Sequence, residues 1–184
     1  MDLTPEAAGT LLDFEDLLRD RAVPLGLVAE GDAGRIRERH VLDCLRAAGA
    51  VGPEDRSGYD LGSGAGLPGL VVAIARPMFH VKLVEVRPKR AAFLELAVER
   101  LGLPNASVVV GRVEDLAGPV DLCFARAYAP AEVSWRQAEP LLGPGGRLVY
   151  FAGEGAEVLV PGARIELLGS GLAGCGPLAI ISRT

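Results

Sequence analysis

The segment Asp60-Leu61-Gly62-Ser63-Gly64-Ala65-Gly66-Leu67-Pro68-Gly69 constrains this chain more than any other stretch. It follows a short strand pattern, Tyr59-Asp60-Leu61, and precedes an apolar helical run ending at Ala75. Glycines at a strand–helix junction let the backbone turn sharply and approach a ligand with no Cβ in the way. The helix start beyond them offers free N–H groups to polar or anionic ligand atoms.

Downstream, strands and helices alternate. Residues 81–86 read as a buried strand. Pro88 suits the first turn of a helix whose apolar side carries Phe93, Leu94, Ala97, Val98 and Leu101, closed by Gly102. Residues 107–110 and Val120–Ala125 read as further strands, and 131–142 as a helix. Pro144-Gly145-Gly146 is a turn into a fifth strand, 147–151. Ala163–Leu168 and residues 178–182 close the pattern as an antiparallel pair. This alternation predicts an α/β fold with a seven-stranded, mostly parallel sheet, helices on both faces and an antiparallel C-terminal pair. Residues 1–184 are expected to form a single domain, with 1–52 as N-terminal helices on the sheet and 57–184 as a Rossmann-like core. In the N-terminal part, Leu11, Leu12, Phe14, Glu15, Leu17 and Leu18 recur at helical spacing. Asp32 is the expected N-cap of a second helix, which turns Ile36, Val41, Leu42 and Leu45 inward and ends near Gly49.

Such sheets bind ligands at the carboxyl ends of their strands, near the switch in strand order. Gly64, Gly66 and Gly69 satisfy G-x-G-x-x-G, and Glu85 follows about 20 residues on, where an acid can accept from ribose hydroxyls. Both features suit NAD and also S-adenosylmethionine, which shares the adenosine half. Three details favour the methyl donor. Asp60 completes D-x-G-x-G-x-G, a pattern typical of class I methyltransferases, and its charge would repel a pyrophosphate but not a sulfonium. Leu141-Leu142-Gly143-Pro144-Gly145-Gly146-Arg147-Leu148 resembles the turn before the fifth strand in that class. The C-terminal pair matches its antiparallel end. Asp60 has an alternative reading as a satisfied strand-end carboxylate.

Arg39-His40-Val41-Leu42-Asp43-Cys44-Leu45, the glycine string from Gly62 to Gly69, Arg112-Val113-Glu114 and Ala125-Arg126-Ala127 occur in that order. From about Gly26 to Phe151 the chain thereby resembles the bacterial 16S ribosomal RNA guanine-N7 methyltransferases, the glucose-inhibited division protein B family. The resemblance implies a class I Rossmann-like fold, S-adenosylmethionine as donor with S-adenosylhomocysteine as product, and a guanosine of small-subunit ribosomal RNA, free or in the 30S particle, as acceptor. Carried over by position, Gly62 and Leu67 line the methionine and adenosine pocket, with Asp60, Ser63, Gly64 and Gly66 in the same loop. Glu85 holds the ribose, Val113 and Glu114 flank the adenine, and Arg126 sits at the donor site facing the acceptor. Many relatives carry Lys-Gly after the fifth strand, where this chain has Ala152-Gly153.

Arg126 is the candidate catalytic residue. Next to Leu122-Cys123-Phe124-Ala125 an arginine is costly unless it points out of the sheet's end. There it can donate to guanine O6, to a phosphate or to the donor's carboxylate; the plain alternative is an ion pair with Asp121 or Glu85. Arg87, Lys89 and Arg90 are expected on RNA phosphates, Arg39 and His40 on phosphate or substrate, and Tyr128 stacked on a base. Trp135 fits core packing better. His40 is not expected to act as a base.

The net charge of −5 does not suggest a nucleic-acid partner, although local charge outweighs the sum. Together with Ala152 it keeps open a methyltransferase of another acceptor. Cys44, Cys123 and Cys175 match neither a metal spacing nor a disulfide framework, so no metal is expected. The start carries acids where a secretory leader carries basic residues, and no apolar run reaches the roughly 20 residues that span a bilayer. A cytoplasmic monomer without membrane contact is the expectation.

Overall fold

A computed structural model describes residues 3–169, 171, 172 and 174–184. The sheet has seven strands in the order β3-β2-β1-β4-β5-β7-β6. They are β1 Ser57–Leu61, β2 His80–Glu85, β3 Ala106–Val110, β4 Val120–Ala125, β5 Leu142–Phe151, β6 Ala163–Leu168 and β7 Leu178–Arg183. The first five run parallel, while β7 pairs antiparallel with both β5 and β6. The chain leaves β1 for β2 on one side and returns to β4 on the other. A crevice therefore opens at the carboxyl ends of β1 and β4, where neighbouring connections diverge.

Both faces of the sheet are covered. One face packs α1 Pro5–Leu17, α2 Leu42–Gly49, α3 Gly69–Ala75 and α4 Pro88–Arg100 over Val81, Leu83, Leu122, Phe124 and Val149. The other sets α5 Ala131–Ala138, through Trp135 and Ala138, over Leu61, Val84, Cys123, Ala125 and Leu148. Burying each such aliphatic side chain contributes about 1.5–3 kcal/mol. Helix α3 is buried almost all round, Gly69 through Ile74, and so shows no polar face. Among the described residues no helix is long and apolar enough to cross a membrane.

Several boundaries differ from expectation. The helix expected over 131–142 stops at Ala138, and a 3-10 turn, Glu139–Leu141, leads straight into β5. Strand β5 begins at Leu142, so Pro144-Gly145-Gly146 lies inside it as an irregularity: its register against β4 jumps between Val120 and Leu122. Between those pairs β5 carries three more residues than β4, which bulge without ending the pairing. Asp32 is not an N-cap. Residues Glu30–Arg35 form a 3-10 turn preceded by Ala29, and Arg37–Val41 form a π-helical turn before α2. The Asp32 carboxylate instead meets the Arg39 and His40 side chains. In α1, Leu12 is exposed, whereas Glu15 is buried and accepts from Arg37 Nη1 at 3.0 Å.

Candidate active site

The glycine loop turns back under the end of β2. Ser63 N–H donates to Val84 O at 2.9 Å, and Gly64 N–H donates to Glu85 Oε2 at 3.1 Å. The other Glu85 oxygen accepts from Arg87 N–H at 2.9 Å. The carboxylate is buried, yet each oxygen has a second lone pair for a hydroxyl. Beside it opens a cleft of about 340 Å³ lined by Gly62, Val84, Glu85, Val86, Gly111, Arg112, Val113, Glu114 and Tyr128. A larger cleft of about 540 Å³, around Asp13, Asp16, Asp20, Arg21 and Arg100, lies by the N-terminal helices, away from the strand ends.

Glycine is required at position 62. Its φ is +67°, and a Cβ there would stand 2.6 Å from the Tyr128 ring. Tyr128 thus leans over the loop as a wall of the cleft and is no free stacking surface on the rim. Its hydroxyl donates to Gln137 Oε1 at 2.7 Å, and Gln137 Nε2 in turn donates to Glu114. Burial and the Glu114 charge push the phenol's pKa up, so it stays a neutral donor. The preceding Ala127 has φ 51°, in the left-handed region that a residue with a Cβ seldom occupies. That conformation splits the turn after β4: Tyr128 goes to the cleft and Arg126 to the opposite side.

The loop residues divide. Gly62 lines the cleft and Gly64 touches Glu85, but Ser63, Gly66 and Leu67 are buried beneath. Asp60 is buried too, and its Oδ2 accepts from Gly69 N–H at 3.1 Å. The N–H at the start of α3 is taken by this carboxylate and is not open to a ligand, in keeping with the alternative reading of Asp60 as a satisfied strand-end carboxylate. Burial first, and the Glu85 charge last, hold the Asp60 pKa up at about 7 against hydrogen bonds from Ser63 and Gly69.

Arg126 emerges at the end of β4 among groups from the N-terminal layer. Its Nε donates to Asp43 Oδ2 at 3.4 Å, its Nη2 to Arg39 O at 3.3 Å, and Nη2 lies 3.0 Å from His40 Nδ1. The guanidinium carbon stands 5.8 Å from the centre of the Phe151 ring. Neither Asp121 nor Glu85 is its partner. Asp121 accepts from the backbone N–H groups of Arg56 and Ser57, and Arg90 stands 3.9 Å from Glu85. Arg87 and Lys89 are exposed just past β2. Ala152 is buried, its N–H donating to Pro177 O at 3.1 Å, so this position lies under the return to β7. Cys44 and Cys123 are buried thiols pushed up to about 12 by desolvation, unreactive small hydrophobes.

Asp43, Phe151, Gln137, Gly111 and Val86 were missed in the sequence. For Asp43 a signal existed: it follows His40 by three residues, a spacing that places both on one helical face. Gly111, directly after β3, marks a turn at a carboxyl strand end. Nothing local announces Gln137 or Phe151.

The cleft suits an adenosine: Val84 and Val113 give apolar walls, Glu85 an acceptor for a ribose diol, and Gly62 room for close approach. The fold agrees. A putative S-adenosyl-L-methionine-dependent methyltransferase from Methanococcus maripaludis superposes with a TM-score of 0.63 at 13% identity, covering 100% of this chain and 96% of that one. An S-adenosylmethionine-dependent methyltransferase from Aquifex aeolicus gives 0.60 at 15% identity over 79% and 92% of the two chains. At the level of sequence, the ribosomal RNA small subunit methyltransferase G of Mycolicibacterium gilvum is 39% identical over 155 residues, 82% of this chain and 67% of the relative. That of Salinispora tropica is 42% identical over 169 residues, 86% and 69%. The chain therefore spans about two thirds of the length of these relatives. The family model for rRNA small subunit methyltransferase G matches residues 8–166, so the chain belongs to that family, GidB.

Proposed function

We propose that this protein transfers a methyl group from S-adenosylmethionine to N7 of a guanosine in small-subunit ribosomal RNA. The observation that carries the reading is the juxtaposition at one sheet edge of the Glu85 cleft and the anchored Arg126. When bound, the donor supplies a methyl group activated by its sulfonium. Guanine N7 already presents a lone pair, so no side chain has to remove a proton. What remains is positioning, which can lower a barrier by about 7–11 kcal/mol.

Glu85 accepts from the ribose hydroxyls, and Val113, Glu114 and Tyr128 bound the adenine. Among the described residues, the hydrogen bonds of Arg126 run through Nε and Nη2, which leaves Nη1 for an acceptor on the incoming base, such as guanine O6. Arg87 and Lys89, exposed beside the cleft, take backbone phosphates, and binding should weaken with added salt accordingly. A different acceptor is the second reading, favoured by the net charge of −5 and by buried Ala152 where the family resemblance leads one to expect a lysine.

The test is transfer of labelled methyl to small ribosomal subunits and to naked RNA from cells lacking the enzyme, followed by mapping. Label at one guanine N7 is expected. No label on RNA, with S-adenosylhomocysteine still bound, would move the acceptor elsewhere.

A further inference from the structure

We propose that His40 is a positioning residue, an imidazole held by Asp32 in one neutral tautomer so that its Nδ1 lone pair fixes the Arg126 guanidinium. The inference rests on the role of Arg126 in methyl transfer.

The geometry decides the tautomer. A guanidinium has five N–H donors and no acceptor. His40 Nδ1, 3.0 Å from Arg126 Nη2, must therefore accept, and cannot carry a proton there. The neutral ring then carries its hydrogen on Nε2, which stands 3.2 Å from Asp32 Oδ2. Asp32 is itself fixed, since its other oxygen pairs with Arg39 Nη1 at 3.2 Å. Polarity runs one way, from carboxylate through imidazole to guanidinium, as second-partner orientation of a histidine does elsewhere. From α2, Asp43 takes Arg126 Nε, and it is itself steadied by Arg46 Nη1 at 2.8 Å. Phe151 meets the guanidinium from β5. Arg126 is thus held from several elements, and of its side-chain neighbours His40 is the one whose bond depends on being uncharged.

Protonation of His40 would set an N–H against an N–H and a second positive charge beside Arg126. The surroundings resist it. Burial pushes the His40 pKa down from 6.5, Arg126 and Arg39 push the same way, and only Asp32 pulls it up. The facing charged groups are Asp32 and Arg39 on its own segment and Arg126 from β4. At neutral pH the ring is free to accept; on acidification the guanidinium loses that anchor.

The chain has two histidines, so His80→Gln in the full-length protein leaves a single imidazole for ring nitrogen NMR. We expect the Nε2–H tautomer, a midpoint below 6.5, and a rise in that midpoint in Arg126→Gln, which removes the positive neighbour. An Nδ1–H tautomer, or a midpoint at or above 6.5, would overturn the proposal. Methyl transfer to small ribosomal subunits is then followed between pH 5 and 8, with S-adenosylhomocysteine binding measured alongside. Wild type should lose transfer on acidification along the His40 midpoint. His40→Gln keeps an acceptor and a donor without titrating, and should retain transfer within about 10-fold while losing the acid limb. An acid limb unchanged in His40→Gln also overturns the proposal. Absence of transfer by wild type at every pH would instead refute the methyltransferase reading, with the tautomer still measured independently.

Discussion

The two sides of the sheet's carboxyl edge are held by different kinds of hydrogen bond. On the β1–β2 side, carboxylates accept from backbone N–H groups within one strand–loop–helix–strand unit, at most 21 residues away: Glu85 from Gly64 and Arg87, Asp60 from Gly69. On the β4–β5 side, Arg126 is held by Asp43 and His40, more than 80 residues away in the chain. The first arrangement forms whenever strand, loop and helix form. The second requires the N-terminal layer to dock. One side therefore makes a pocket whose shape belongs to the Rossmann-like core; the other fixes an arginine in a way that depends on the N-terminal helices.

The sharpest way to separate the two is Arg126→Ala. Methyl transfer should fall about 100-fold or more, the scale set by misplacing a reacting group by about an ångström. Folding should survive, because Asp43 keeps Arg46 at 2.8 Å. Binding of S-adenosylhomocysteine, measured by calorimetry, should barely change. Equal losses of transfer and binding would show that the two sides are one site and break the comparison.

Glu85→Gln is the mirror experiment. Hydrogen bonds to a charged group contribute about 1.5–3 kcal/mol, so donor affinity should drop about 10- to 100-fold. Transfer at saturating donor should be nearly retained. A fall in the saturated rate with affinity intact would place Glu85 in the reaction and not in the pocket.

That division also explains what could be read from the chain. The glycine loop, Glu85, Val113 and Glu114 follow strands whose apolar runs are visible locally, and four of these positions line the cleft. Tyr128 was recognisable as important but not as a wall, because its direction depends on the left-handed Ala127, which no composition rule signals. The Arg39–Asp43 block was visible as a motif, but its target was not, since contacts between α2, β4 and β5 are set by packing. Boundaries failed where strand and turn signals conflict: Leu142 and Pro144-Gly145-Gly146 look like a turn, yet β5 absorbs them as a bulge against β4. Asp32 satisfies the pattern of an N-cap, but two basic side chains compete for its carboxylate and win.

Asp60 gives a test of the β1–β2 side that needs no substrate. Its folded pKa of about 7 lies above the ordinary 3.8. The folded state then holds more protons than the unfolded one between those values. The stability from Asp60 is complete below about pH 3.8 and is lost as pH rises through about 7. Between pH 4.5 and 7 its contribution should decline by at most about 1.4 kcal/mol per pH unit. Urea unfolding of wild type against Asp60→Asn checks this, since the amide can still accept from Gly69 N–H but does not titrate. Parallel pH profiles for the two proteins would mean that Asp60 stays ionised beneath the loop.

The smallest expected effect belongs to Gln137, whose side chain links Tyr128 and Glu114 on the cleft's outer wall. Its amide accepts from the Tyr128 hydroxyl and donates to Glu114. Glu114 is exposed, so water replaces the lost donor there at little cost. Tyr128 is half-buried and loses its acceptor, but its ring stays trapped over Gly62. A neutral bond of this kind contributes about 0.5–1.5 kcal/mol, so Gln137→Ala should weaken donor binding about 2- to 10-fold. The rate at saturation should not move, because among the described residues the hydrogen bonds of Tyr128 and Glu114 do not reach Asp43, His40 or Arg39. A large loss of saturated rate in Gln137→Ala, with donor affinity unchanged, would mean that the turn through Ala127 transmits strain from the cleft wall to Arg126. The two sides would then be coupled through the backbone of three consecutive residues, despite their separate hydrogen bonds.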